Sequence, residues 1–286
     1  MTHSKLALMG NSYLDIILRE QKPDFLGKNQ TSGLEIRLGG IGNVSRMLCN
    51  LSQEHTLHLS YGYPISKESV TTLLNNSNEN SNWKLFCSVN LKELKGSMPV
   101  AVIISETSDS SRTSFVDYGN SDSADLKTEK TFDYIHISYL DKMPIIDIQE
   151  LRKSGCVFLT ADLCDNHPDQ ITRTRIKNIA LNLNVLICST DEFSVYYHEI
   201  DLTNKKSKYD TNLLPEFTIV HSPSELRILN KGKISIYEGR FYSGVDTLAA
   251  GDYFVAFFLC EVLKGAPVNM SAQTAFQLSQ ERLANA

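Results

Sequence analysis

Short apolar runs of β-like composition recur along the chain at Lys5–Met9, Leu57–Tyr61, Tyr134–Ser138, Val157–Ala161, Val185–Cys188 and Phe217–His221. Segments with apolar residues at helical spacing separate most of them. In Asn43–Leu51 the side chains of Val44, Met47, Leu48 and Leu51 share one face, and Ile145–Lys153 and Gln170–Leu181 also carry spaced apolar residues. This alternation predicts a parallel sheet with helices on both faces. One region breaks the rhythm, because Pro99–Ser105 and Thr113–Tyr118 are separated only by the polar stretch Glu106–Arg112, which reads as a hairpin. With Glu35–Leu38 as a third strand it predicts a small sheet outside the main one. Asn75–Asn82 reads as a solvated loop, and no repeat or linker divides the chain.

Composition adds limits to this picture. A chain of 286 residues with 42% hydrophobic content can bury a sizeable core, which excludes a disordered protein and fits one large domain over 1–286. Charged residues make up 21%, the net charge is −5 and no long basic run occurs, so neither nucleic acid nor an anionic membrane is an expected partner. The six cysteines (Cys49, Cys87, Cys156, Cys164, Cys188 and Cys260) show no Cys-x-x-Cys pair or zinc-ligand spacing and read as reduced core thiols. Met1–Met9 is too short in apolar length for a signal peptide, and no run approaches the ~20 apolar residues of a membrane span. A soluble cytoplasmic protein is the expectation.

Three segments carry candidate chemistry. Asp246-Thr247-Leu248-Ala249-Ala250-Gly251-Asp252 leads into the apolar stretch Tyr253–Leu263, so small residues and a carboxylate open a helix. First-turn N–H groups lack internal partners and carry the positive end of the helix dipole, so an anion can approach there. An aspartate at that mouth can take the proton from an attacking hydroxyl. The bland alternative is a capped amphipathic helix stopped by Gly265 and Pro267. Leu38-Gly39-Gly40-Ile41-Gly42-Asn43 offers close backbone approach and an amide suited to a hydroxyl-rich ligand, against the alternative of a tight turn with Asn43 as N-cap. Gly10-Asn11-Ser12-Tyr13-Leu14-Asp15 follows the first strand, where open α/β sheets bind ligands; its alternative is an ordinary polar loop. It lacks the Gly-x-Gly-x-x-Gly turn that a dinucleotide-binding dehydrogenase needs.

Taken in order, these segments resemble the ribokinase/PfkB family of sugar and nucleoside kinases over nearly the whole chain. Gly39-Gly40-Ile41-Gly42-Asn43-Val44-Ser45 is similar to the family's double-glycine signature, and Asp246 through Asp252 to its Asp-Thr-x-Gly-Ala-Gly-Asp signature. The resemblance implies a ribokinase-like three-layer α/β/α sandwich with a β lid, its strands at approximately 33–38 and 97–120, which often mediates homodimerisation. It implies transfer of the ATP γ-phosphoryl to a sugar or nucleoside hydroxyl, with Asp252 as base and the amides of Ala249, Ala250 and Gly251 as anion hole. Asn11, Asp15, Gly39, Gly40 and Asn43 would bind the acceptor. Ser189-Thr190-Asp191-Glu192 lies where the family has Asn-x-x-Glu, so Glu192 would organise Mg²⁺ through water, with Ser189 in place of the asparagine; the alternative is an acidic first turn.

The chain departs from the family pattern in three places. Ala249 stands where the family has the leading glycine of the anion hole, and a positive φ there would cost roughly 1 kcal/mol or more. His221-Ser222-Pro223-Ser224-Glu225-Leu226 replaces a Thr-x-Gly-x-x-Gly turn beside the ATP phosphates, leaving His221 and Ser222 as donor-side candidates. The sequence stops at Ala286, where many members continue to hold adenine and a monovalent cation, so Gln280 is a candidate for approaching the base. Two readings follow: an active small-molecule kinase, and a kinase-like protein that binds a ligand or partner without turnover.

Overall fold

The computed structural model describes residues 5–10, 13–20, 33–51, 56–61, 87–89, 100–106, 112–117, 132–142, 148–153, 155–164, 167–202, 209–242 and 249–285. In chain order the strands are β1 (Lys5–Gly10), β2 (Leu14–Glu20), β3 (Gly33–Leu38), β4 (Thr56–Tyr61), β5 (Cys87–Val89), β6 (Val100–Glu106), β7 (Arg112–Asp117), β8 (Tyr134–Ser138), β9 (Phe158–Asp162), β10 (Val185–Ser189), β11 (Phe217–His221), β12 (Glu225–Asn230) and β13 (Lys233–Glu238). The helices are α1 (Ile41–Leu51), α2 (Ile148–Lys153), α3 (Gln170–Ala180), α4 (Thr190–Tyr196), α5 (Ala250–Leu263) and α6 (Val268–Ala284). The nine-stranded main sheet runs β13-β12-β11-β10-β9-β8-β1-β4-β5, parallel from β11 to β5 and antiparallel at β12 and β13.

Alternation along the parallel strands builds two cores, one on each face. Leu6, Leu8, Val185, Ile187 and Ile219 point toward α1, α5 and α6. Ala7, Met9, Ile135, Ile137, Leu186, Cys188 and Val220 point the other way, toward α3 and α4. Successive residues serve opposite faces because the side-chain period of a strand is two. α5 packs against α1, α6 and the sheet, which explains why it is apolar on all sides. Cys156, Cys188 and Cys260 are buried free thiols and Cys164 is a half-buried one. No helix among the described residues is long and apolar enough to cross a membrane.

A separate four-stranded sheet runs β3-β2-β6-β7. The expected lid strands at 33–38 and within 97–120 are present as β3, β6 and β7, whereas β2 was not expected. Asp15 therefore lies within a strand of this sheet rather than in a loop after β1. The run Leu14–Leu18 has no turn residue to mark it, and Asp15 alone supplies its polar alternation. The β12–β13 hairpin also escaped the sequence pattern. Its two-residue turn puts both Lys231 (φ 49°) and Gly232 (φ 74°) in the left-handed region, as a type I′ turn requires, but a lysine at the first position gives little signal.

Candidate active site

Side chains from the C-terminal ends of β8 and β9, the glycine loop and the start of α5 come together beside β2 and β3 of the small sheet. Asp252 lies in the first turn of α5, half-buried. Its Oδ2 accepts a 2.8 Å hydrogen bond from Asn43 Nδ2, and its Oδ1 accepts one from the Tyr139 hydroxyl at 3.4 Å. Burial raises its carboxyl to about 7, and the nearby Asp162 and Asp15 carboxylates push the same way, against the Asn43 bond and Arg37. Such a group titrates where a base for a hydroxyl proton is most effective.

Asp252 is preceded by Ala249, Ala250 and Gly251 at the start of α5. The first internal bond of α5 runs from the Tyr253 N–H to the Ala249 carbonyl, and no hydrogen bond among the described residues engages the amides of Ala250, Gly251 or Asp252. Ala249, the N-cap, takes φ 64° and ψ 15° with no side-chain cap, so alanine holds the left-handed conformation that glycine adopts freely. Among the described residues, a Cβ added to Gly251 would meet His221 Cε1 alone, at 3.7 Å.

The glycine loop packs against Asp15. Gly39 donates to the Tyr13 carbonyl at 2.9 Å, and a Cβ at Gly39 would stand 2.1 Å from Asp15 Oδ2, so only glycine lets the loop press against that carboxylate. Gly40 turns the chain at φ 54° into α1, which starts at Ile41. Asn43 is thus inside the first turn rather than its N-cap, and its amide is free to reach Asp252. Its buried Oδ1 has no hydrogen-bond partner. Burial raises Asp15 to about 6, opposed by Arg37 and assisted by Glu35. Asn11 and residues 246–248 lie outside the described residues.

Three residues at this site were not found from the sequence. Arg37 faces Asp15 across the β2–β3 ladder, its Nε 4.0 Å from Oδ2, and its buried Nε and Nη2 have no hydrogen-bond partner among the described residues. Tyr139, at φ 58°, stacks at a tilt on Tyr13 with ring centroids 5.8 Å apart and joins the lid to Asp252. Asp162 accepts a short bond from the Tyr139 amide and a 3.5 Å bond from Ser138 Oγ, and its Oδ2 lies 3.5 Å from His136 Nε2. A carboxylate ending β9 carries the same signal that drew attention to Asp15; Tyr139 carries none in sequence.

A second group of candidate residues sits at the adjacent ends of β10 and β11, where Ser189 pairs with His221. Ser189 and Glu192 form a capping box at α4: the Glu192 amide donates to Ser189 Oγ at 3.2 Å and Glu192 Oε2 accepts from the Ser189 amide at 2.6 Å. The acidic-first-turn alternative is therefore realised, yet the carboxyl is also buried enough to rise to about 8, with Asp162 and Asp141 adding to the shift. His221 stacks on Phe254, ring centroids 4.6 Å apart, and Ser222 closes the following turn by donating to the Glu225 carbonyl at 2.8 Å. Gln280 reaches this turn from α6, but its amide bridges the Pro223 carbonyl to the Arg240 N–H.

No protein-family model and no curated relative matches the chain by sequence. Solved structures match it in shape: ribokinase from Thermotoga maritima superposes on 97% of this chain and 92% of its own, with TM-score 0.72 at 17% identity. The chain has the ribokinase fold. Ribokinase from Arabidopsis thaliana, complexed with ribose and ATP, covers 98% of this chain and 92% of its own at TM-score 0.65 and 14% identity. A nucleoside kinase from Methanocaldococcus jannaschii covers 97% and 90% at TM-score 0.63 and 17% identity. The three-layer sandwich with a small β lid is thus the ribokinase-like architecture, and the chemistry rests on the residues at the site.

Proposed function

We propose that this protein is an ATP-dependent kinase that phosphorylates a hydroxyl of a sugar or nucleoside. The observation that carries the reading is Asp252, raised by burial to about 7, in the first turn of α5 and held by Asn43 on the acceptor side. Asp15, Gly39, Gly40 and Asn43, with Asn11 before them, bind and orient the acceptor. Asp252 takes the proton from its hydroxyl as the phosphoryl group transfers in line, and the amides of Ala250 and Gly251 beside Ala249 hold the charge on its oxygens. The fold shared with a ribokinase complexed with ribose and ATP, and with a nucleoside kinase, supports this choice of donor and acceptor class.

Mg²⁺ fits the donor corner through water rather than in a protein cage. Among the described residues no cluster of three or more His, Cys, Asp or Glu could hold a metal, whereas Mg²⁺ keeps several waters and takes one or two carboxylates plus phosphate oxygens. Glu192, whose Oε2 alone is used by the capping box, would hold it that way; when bound the ion neutralises charge on the phosphates.

The outer face of the lid supports homodimerisation through this sheet. Leu34, Ile36 and Phe115 are 62%, 52% and 58% exposed, and the row Ile36–Ile16–Val102–Phe115 crosses all four strands without a polar residue.

A second reading, a ligand-binding protein without turnover, is favoured by the strained Ala249 N-cap and the glycine-free turn after β11. Acceptor-dependent ADP release, measured over a panel of sugars and nucleosides with Asp252→Asn as control, separates the two. Release that depends on both acceptor and Asp252 supports the kinase; no turnover together with no Mg·ATP binding overturns it.

A further inference from the structure

The turn after β11 has used its own peptide donors. Ser222 N–H donates to the Glu225 carbonyl at 2.8 Å, Pro223 has no N–H, and Ser224 N–H donates to Ser222 Oγ at 3.3 Å. The Gln280 amide fixes the same turn by donating to the Pro223 carbonyl. No amide of residues 222–224 remains for a phosphate. The side chain at the end of the strand is in the opposite condition. His221 makes no ring-nitrogen hydrogen bond among the described residues, and its ring plane is set by stacking at 21° on Phe254 of α5. Cε1, the ring atom between the two nitrogens, lies 3.7 Å from where a Cβ on Gly251 would stand, at the start of α5.

We propose that His221 is a phosphate-binding residue: its imidazole N–H stands in for the peptide donors that the turn has used and holds an oxygen of a phosphoanhydride against the N-terminus of α5. This rests on the kinase reading and specifies how its donor is held. Burial keeps the imidazole near 4, against the pull of Asp162 on β9, so at neutral pH the ring is uncharged and presents one donor and one acceptor. A phosphoanhydride has an oxygen for that donor whether it is ATP or inorganic pyrophosphate.

Binding of Mg·ATP and Mg·pyrophosphate to the full chain, by calorimetry, tests the assignment in three variants. His221→Phe keeps the ring stack but lacks the donor, His221→Gln keeps an N–H, and His221→Ala removes both. The Phe and Ala variants should lose roughly tenfold or more in affinity for both ligands, the scale of one hydrogen bond to a charged group, and Gln should recover most of it. Ring ¹⁵N resonances of His221 should shift when wild type binds either ligand. Loss confined to ATP would move the contact to the nucleoside part and overturn the proposal, as would unchanged affinity in the Phe variant. Wild-type turnover with unchanged affinity in His221→Phe sinks this role alone; failure of wild type to bind either ligand sinks the kinase reading with it.

Discussion

Replacing Gly251 by alanine separates what the helix mouth does for folding from what it does for chemistry. Gly251 is the second residue of α5 and is not among the positive-φ positions. Among the described residues the added Cβ would meet His221 Cε1 at 3.7 Å, an ordinary van der Waals contact. Alanine in place of helical glycine restricts the unfolded chain and should stabilise the fold by about 0.5–1 kcal/mol, or about 1–3 °C in Tm for a chain of this length. The same methyl would stand beside the first-turn amides of α5, where the kinase reading puts the transferring phosphoryl group. Removing one such donor costs on the order of 100-fold in rate elsewhere, so blocking close approach should lower kcat/KM by roughly tenfold or more. Urea denaturation and the phosphoryl-transfer rate, measured on one preparation, give both numbers. A variant that is less stable than wild type, or equally active, refutes the assignment of this residue to the anion hole.

Asp252→Asn should keep the fold and lower kcat by about 10²–10⁴-fold, while wild-type activity rises with pH through about 7 as the carboxyl ionises; steady-state rates from pH 5.5 to 9 check both. Asp15, Asp252 and Glu192 are raised by burial to about 6, 7 and 8, so the folded protein holds protons that the unfolded chain has lost above about pH 4. That stabilisation is complete below pH 4 and is lost as pH rises, fully so above about 6, 7 and 8 in turn; His221, held near 4, opposes it below about pH 6.5, and urea melts should show a net fall of several kcal/mol between pH 5 and 8. Glu192→Gln keeps the capping box and should flatten the upper part of this decline; a stability that rises with pH over the same window contradicts it. Ala249→Gly relieves the left-handed N-cap at φ 64° and should raise stability by about 1 kcal/mol and activity with it, read from the same two assays. Leu34→Glu with Ile36→Glu places charges on the exposed lid face and should convert dimer to monomer by analytical ultracentrifugation, with the thermal midpoint showing that each subunit stays folded.

The parallel sheet was legible because its strands are buried on both faces: Tyr134–Ser138 and Phe217–His221 are short, β-branched- and aromatic-rich runs with no charged carboxylate or lysine, and the structure reproduces both spans. β2 was hidden by the same property in reverse. Its run is as apolar as a core strand although its outer face, with Ile16 and Leu18, is only half covered, so nothing local distinguished a lid strand from a segment beside β1. At the site, residues in local motifs were legible: Gly39, Gly40 and Asn43 precede or open a helix, and Asp252 opens another. Residues that belong to the site through tertiary contact alone were not. Arg37 becomes part of it only through β2–β3 pairing, and Tyr139 only through the positive φ that turns it toward Asp252.

The central claim is that Asp252 at the α5 mouth drives phosphoryl transfer to an acceptor hydroxyl. Following Mg·ATP by ³¹P NMR with each sugar and nucleoside of a panel tests it most directly. The account predicts that with one acceptor class the γ-phosphate signal gives way to a phosphomonoester in wild type and persists in Asp252→Asn. Orthophosphate as the sole product, or equal phosphomonoester formation in the two proteins, would contradict it.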